Sequence, residues 1–187
     1  MNLSVPPGWD YNPARWPKRL GLIGLALMGV GITTYLTLYQ LGVIPVVWEP
    51  FFGDGSQVIL HSHLAHLLPV PDASLGALGY LVEAVGGAVG DSGRWRSRPW
   101  VVLFYGCTVG LLGLMSLLLA ICQPLLFHAW CTLCLTSAAL SLGLVGLVTD
   151  EVLASLQHLK RESAGGRYGR YVDRGDKRGT GANAQGK

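Results

Sequence analysis

Long apolar runs separated by polar segments dominate the first 150 residues of the chain. Leu20 to Leu41 holds 22 residues without a charge, and about 20 apolar residues suffice for a helix to cross a bilayer core of roughly 30 Å. Further runs extend from Ala73 to about Val89, from Trp100 to Cys122 and from about Ala129 to Thr149. The pattern predicts an all-α integral membrane protein built as a four-helix bundle.

The polar segments predict the remaining elements. In the loop at 43–72, the amphipathic stretch SQVILHSHLAHLL predicts a short helix lying along the membrane interface. Pro124 predicts the end of the third helix, because proline breaks the helical hydrogen-bond ladder. We divide the chain into an N-terminal segment at 1–19, a membrane domain at 20–152, and a basic tail at 153–187 that is predicted to be largely disordered.

The basic residues predict how the chain crosses the membrane. Of the 14 Lys and Arg residues, three precede the first run, three lie between the second and third, and eight follow the fourth. The other two loops carry none and hold Glu49, Asp54 and Asp72 instead. Because positive residues stay on the cytoplasmic side, we predict a multi-pass protein of a bacterial-type plasma membrane with both termini cytoplasmic. The basic tail is predicted to face anionic lipid, with no nucleic-acid partner.

The overall composition supports this class. The chain is 50% hydrophobic and 13% charged, with a mean hydropathy of +0.40, whereas a typical soluble domain is about 25% charged. The net charge of +3 adds little to this interpretation, because the positions of the basic residues carry the information.

A pair of thiols stands at the outer end of the fourth run. Cys131 and Cys134 share one helix face, a helix N-terminus stabilises a thiolate, and the outer compartment is where disulfides persist. We therefore predict a reactive dithiol that exchanges electrons with an aqueous partner or with an apolar carrier in the lipid. Two alternatives stay open: thiols that only pack, and a zinc site completed by His128 and a loop histidine.

Two stretches, HSHLAHLLPVPDASLGALGYLVEAV and WCTLCLTSAALSL, lie in an order and spacing that resemble the vitamin K epoxide reductase family over about residues 20–149. The resemblance implies a four-helix bundle with a quinone at its outer end and an active-site disulfide on helix four. By position, Cys131 and Cys134 match that pair, with Cys134 facing the quinone and Cys131 exchanging with thiols. Leu60, Ser62 and Asp72 are the expected quinone-pocket residues.

The resemblance also implies partners and shows departures. The implied cofactor is a lipid quinone of the menaquinone, ubiquinone or vitamin K type, and the implied partner is a thioredoxin-like or other extracytoplasmic thiol protein. The family has a relay pair of cysteines in the first outer loop, but this chain has none, and Ser56 aligns with the second of them. Cys122 is a candidate replacement, with an inert membrane thiol as the alternative, and Cys107 is expected only to pack. Ala138 stands where the animal enzymes carry a tyrosine.

Ionisable side chains complete the candidate site. Glu83 lies within the second run, where carboxyl groups are costly and often functional, so we place it with the quinone-binding residues as a hydrogen-bond partner or proton donor. The alternative is a protonated carboxyl group bonded to a neighbouring helix. The loop histidines are candidates for a pH-sensitive lid or for solvated side chains.

The predicted function is a membrane thiol–quinone oxidoreductase. The second hypothesis is a non-catalytic quinone- or partner-binding protein of the same fold, stabilised in one version by zinc.

Overall fold

The computed structural model describes residues 5–62 and 71–182, with side chains as far as residue 163. Every regular element in these ranges is helical, and they contain no strand. The α-helices are α1 (Trp16–Gln40), α2 (Gly55–Leu60), α3 (Asp72–Ala88), α4 (Arg94–Ser97), α5 (Pro99–Cys122) and α6 (Thr132–Ala182), and a π-helical turn, Gln123–Phe127, follows α5. The all-α class is confirmed.

Three helical segments are long and apolar enough to cross a membrane, namely Trp16–Gln40, Pro99–Phe127 and Thr132–Ser163. The remaining long helix, α3, has 17 residues and packs along α1. The structure therefore supports a membrane protein, and the fourth span stays a prediction.

The helices pack as two pairs. α1 lies along α3, α5 lies along α6, and contacts between α1 and α6 join the pairs. A Cβ atom at Gly29 would overlap the ring of Tyr80, so α1 and α3 approach closely at this point. The Tyr80 hydroxyl is 2.8 Å from Ser141 Oγ and links α3 to α6. The buried apolar core around these contacts consists of Leu22, Ala26, Tyr80, Ala84, Tyr105, Val109, Leu144 and Val148.

Two buried arginines complete one end of the bundle, which we call the arginine end. Arg19 and Arg94 together donate five hydrogen bonds of 2.6–2.9 Å to backbone carbonyls at the end of α3. Arg94 also pairs with Glu151 of α6, with 2.8 Å between Nη2 and Oε2. Because the last carbonyls of a helix lack partners within the helix, the two guanidinium groups satisfy the C-terminus of α3 and join it to α6.

The helix ends differ in part from the predicted ones. α5 ends at Cys122, as Pro124 predicted, whereas α6 begins at Thr132, three residues later than expected. α6 continues as helical backbone through Ala182, and the predicted domain boundaries and disordered tail stay predictions. α2 covers only Gly55–Leu60 of the stretch predicted as an interfacial helix, and its place at an interface stays a prediction. His63 and His66 of the proposed lid lie outside the described residues.

Candidate functional site

The two thiols form a disulfide at the start of α6. The Cα atoms of Cys131 and Cys134 are 5.2 Å apart, and the carbonyl of Cys131 accepts the first helical hydrogen bond, from the Leu135 N–H at 2.9 Å. The sulfur of Cys131 accepts a hydrogen bond from the Cys134 N–H at 3.1 Å, which is how Ser or Asp side chains cap a helix. Cys131 is therefore the capping residue of α6, and the predicted helix start at Ala129 is wrong by one turn.

The connection between α5 and α6 fixes this position. Pro124 has no N–H and cannot continue a regular α-helical ladder, and the chain forms a π-helical turn there. His128 then adopts a left-handed backbone with φ of 51°. The buried amide oxygen of Gln123 accepts a hydrogen bond from the Cys131 N–H at 3.0 Å. The end of α5 thus holds the backbone of the capping cysteine.

A carboxylate from the first loop closes the same helix end. Glu49 accepts a hydrogen bond from the Thr132 N–H at 3.0 Å, and it also accepts from the hydroxyls of Thr132 and Ser56. Burial alone raises the pKa of Glu49, but the donated hydrogen bonds outweigh it and leave the pKa below its usual value. Glu49 is therefore a charged group that joins the first loop to the thiol-bearing turn.

Cys131 is buried, and the first loop packs beside it. The side chain of Cys131 is 0% exposed, whereas Cys134 is half-buried. A Cβ atom at Gly55 would collide with the carbonyl oxygen of Trp130, so the start of α2 lies directly against the residue before Cys131. Phe52 adds a ring contact to Trp130, with 6.2 Å between centroids. The first loop therefore packs against Trp130 and Thr132, the residues on either side of the buried Cys131.

Cys134 lies on the apolar side of the pair. Together with Leu133, it packs against a buried apolar cluster formed by α1, the first loop and α2. The buried members of that cluster are Leu36, Tyr39, Val47 and Leu60. The sequence-predicted Leu60 therefore lies in the cluster that Cys134 contacts.

The other predicted pocket residues lie at the same end of the bundle. The Asp72 carboxylate, at the start of α3, accepts a hydrogen bond from Gln40 Nε2 at 2.6 Å. The same Nε2 lies 3.5 Å from the carbonyl oxygen of Leu60. Ser62 is half-buried in the turn after α2, where its N–H donates to the Ile59 carbonyl at 3.1 Å. Whether these residues bind a quinone stays a prediction.

Glu83 is separated from this group. It follows Asp72 by eleven positions on α3, which corresponds to ~16 Å along the helix axis. The side chain is 1% exposed, and neither carboxyl oxygen has a hydrogen-bond partner in the described part of the chain. The structure thus places Glu83 deeper in the bundle than the thiol pair, and a role in quinone binding stays a prediction.

The remaining features to place are the other two cysteines and the alternative zinc site. Cys107 is exposed and Cys122 is half-buried, and both are free thiols. Residues 5–62 and 71–163 contain no group of three His, Cys, Asp or Glu side chains placed to hold a metal ion.

The sequence pattern does not predict three polar residues of the site. Glu49 stands out only as a lone acid among apolar neighbours, Gln123 only as the residue before a helix-breaking proline, and Thr132 only as a spacer between the cysteines. The sequence signal available for Glu49 is a carboxylate in an otherwise apolar VVWEPFF stretch.

One of the comparisons with known proteins identifies a family. The family model for the Vitamin K epoxide reductase family (VKOR) matches residues 20–149. This is most of the chain and includes α1, the first loop, α3, α5 and the turn that carries both thiols, so the chain belongs to the VKOR family. A comparison with curated proteins gives no match.

Proposed function

We propose that this protein is a membrane thiol–quinone oxidoreductase whose Cys131–Cys134 pair cycles between disulfide and dithiol. The observation that carries the proposal is a disulfide at the capping position of a membrane-spanning helix, with one sulfur beside an apolar cluster. Membership in the VKOR family supports the same chemistry.

The proposed topology has four spans, with the thiols on the extracytoplasmic side. Cys131 and Glu151 are twenty positions apart along α6, or ~30 Å, which matches the thickness of a bilayer core. Glu151 pairs with Arg94, so the arginine end and the thiol pair stand at opposite membrane surfaces. With the positive-inside rule, this puts the arginine end in the cytoplasm.

The residues around Cys134 fit a lipid quinone. The cluster with Leu36 and Leu60 offers an apolar wall, and the hydrogen-bonded Gln40 and Asp72 supply polar groups near its edge. Protein sites for such ligands combine an apolar lining with a few fixed polar groups. When bound, the quinone accepts two electrons and two protons and becomes a hydroquinone. Leu60, Ser62 and Asp72 would hold it, and the more distant Glu83 would hold a proton.

The thiol half of the cycle uses the protein's own sulfurs. A thiolate of an extracytoplasmic dithiol attacks the sulfur of Cys131, the Cys131–Cys134 bond breaks, and Cys134 leaves as a thiolate. The second thiol of the partner then attacks the mixed disulfide, which oxidises the partner and leaves both cysteines reduced. The two electrons and two protons of that dithiol are what the quinone accepts as the disulfide forms again.

A non-catalytic quinone- or partner-binding protein is the second candidate. The complete burial of Cys131 favours it, because thiol exchange needs access to the attacked sulfur. The absence of loop cysteines favours it as well.

Reduction of a soluble quinone analogue by the purified protein tests the proposal. With dithiothreitol as donor, we expect Cys131→Ser and Cys134→Ser to lower the rate to the uncatalysed level, while Cys107→Ser keeps the wild-type rate. Serine at position 131 retains a capping side chain, so the helix start is preserved. Cys122→Ser distinguishes a relay thiol from an inert one. A wild-type rate no higher than the rates of Cys131→Ser and Cys134→Ser would favour the non-catalytic candidate.

A further inference from the structure

The carboxylate that closes the start of α6 has no counterpart in the chemistry proposed above. Glu49 is half-buried and lies at the first N–H of the thiol-bearing helix, bonded to Thr132 between the two cysteines. We propose that Glu49 is a positioning residue that latches the first loop over Cys131 and shifts the thiol pair toward its disulfide form. This inference rests on the proposed thiol chemistry.

The latch joins two separate elements of the loop to α6. On one side, Glu49 follows Val47, which is buried in the apolar cluster, and Trp48, whose N–H donates to the hydroxyl of Tyr35 at 3.1 Å. On the other side, the fully buried Ser56 at the start of α2 donates to the Glu49 carboxylate. Both parts of the loop are thereby fixed to the turn that carries Cys131, so the loop cannot move away from this turn without breaking the bonds to Thr132.

The charge of Glu49 acts against the reduced pair. A thiolate at a helix start is stabilised by the N–H groups and the positive end of the helix dipole. At this helix start a carboxylate already accepts the Thr132 N–H, and it places a negative charge next to the sulfurs. The disulfide carries no charge, so the carboxylate raises the free energy of the reduced, anionic pair relative to the disulfide.

The position of the latch explains the missing loop cysteine. Ser56, which aligns with the second relay cysteine of the family, is one of the groups that donate to Glu49. The loop therefore meets the active-site turn through a hydrogen-bonded carboxylate and not through a thiol. An external dithiol partner must displace this contact to reach Cys131.

A redox titration of the full-length protein in nanodiscs tests the proposal. Samples are equilibrated in glutathione buffers, and the fraction reduced is read by alkylation of Cys131 and Cys134. Glu49→Gln keeps the shape and one acceptor oxygen but removes the charge. We expect the equilibrium constant for reduction to rise about tenfold, which is a potential ~30 mV more positive for a two-electron couple. Glu49→Asp should return it toward the wild-type value.

Asp54→Asn is the matched control. Asp54 is an exposed carboxylate of the same loop, with no hydrogen bond to its own helix start. We expect its replacement to leave the equilibrium constant within about twofold of wild type. An unchanged constant in Glu49→Gln, or an equal shift in Asp54→Asn, would overturn the proposal. If the wild-type pair were not reduced by any thiol buffer, the proposed function itself would fail, and this outcome is distinct from the other two.

Discussion

At the arginine end, two guanidinium groups donate to the carbonyls that finish α3, whereas at the thiol end one carboxylate accepts from the groups that begin α6. Both arrangements place a charge where the helix dipole favours it. The arginine end has five backbone bonds and a buried ion pair. At the thiol end, the side-chain hydrogen bonds between the loop and the start of α6 all come from Glu49.

The difference reflects what each end does. A buried guanidinium must keep all its partners, because an uncompensated charge away from water is costly. The arginine end therefore holds the helices in one arrangement. The loop carboxylate at the thiol end is only half-buried, so we propose that it can exchange its protein partners for water and let the loop move while the helices stay in place.

The largest expected effect comes from breaking the arginine end. Arg94→Met removes the partner of Glu151 and leaves the carbonyls of Gly86 and Val89 without that donor. We expect a loss of ~3–5 kcal/mol in the free energy of unfolding, measured by denaturant unfolding in detergent.

The double variant Arg94→Met/Glu151→Leu sharpens this prediction. Removing both charges should restore part of the stability, since the stranded carboxylate is gone, but the Gly86 carbonyl stays without this donor and the Val89 carbonyl keeps only its bond from Arg19. Full recovery would show that the guanidinium contributes nothing to the end of α3.

Gly55→Ala should loosen the thiol end without changing the arginine end. The added methyl group would push α2 away from the Trp130 carbonyl, at a cost of ~1–3 kcal/mol. We expect faster reduction of the Cys131–Cys134 disulfide by a soluble phosphine, because the loop opens more often. Gly110→Ala is the control, since a Cβ there meets no atom within 4 Å. Equal rates in the two variants would mean that the loop does not limit access.

Ser56→Ala should have a smaller effect of the same sign. It removes one of the hydrogen bonds to Glu49 and keeps the carboxylate, and a hydrogen bond to a charged group that is only half-buried contributes ~1.5 kcal/mol. We expect a severalfold faster reduction by the phosphine. Ser97→Ala, near the arginine end, should match wild type, and a rate for Ser56→Ala equal to that of Ser97→Ala would contradict the latch.

The smallest effect is a pH dependence at the thiol end, which comparison with Glu49→Gln isolates. Because the pKa of Glu49 is lowered in the folded protein, its contribution to stability is present above the ordinary glutamate range and is lost as the pH falls through the lowered value. The difference in unfolding free energy between wild type and Glu49→Gln should therefore be constant near neutral pH and shrink in acid. A difference that grows on acidification would contradict the assignment.

The sequence predicts the helices well because their signals are local. Apolar runs place α1, α3 and α5 to within a few residues, and Pro124 marks the end of α5. The predicted start of α6 at Ala129 is too early, because Ala129 and Trp130 continue the apolar pattern of the helix. In the structure, the π-helical turn and the left-handed backbone of His128 come first, and α6 begins only at Thr132.

The sequence predicts the part of the site whose residues are close together along the chain. The C-x-x-C motif predicts the thiol pair, but the contact of Glu49 with Thr132 joins residues 83 positions apart. No periodicity in one sequence reports such a contact. The two arginines of the arginine end are visible as positive charges, yet their bonds to α3 depend on how the helices pack.

The most direct test of the account is whether the two sulfurs of Cys131 and Cys134 change redox state in the membrane. The protein in nanodiscs is reduced, freed of reductant, mixed with menaquinone or ubiquinone without oxygen, and then alkylated and weighed by mass spectrometry. We expect both cysteines to be alkylated before the quinone is added and both to be protected afterwards, with one hydroquinone formed per disulfide. If both cysteines still react with the alkylating agent after incubation with each quinone, the thiol–quinone chemistry is contradicted.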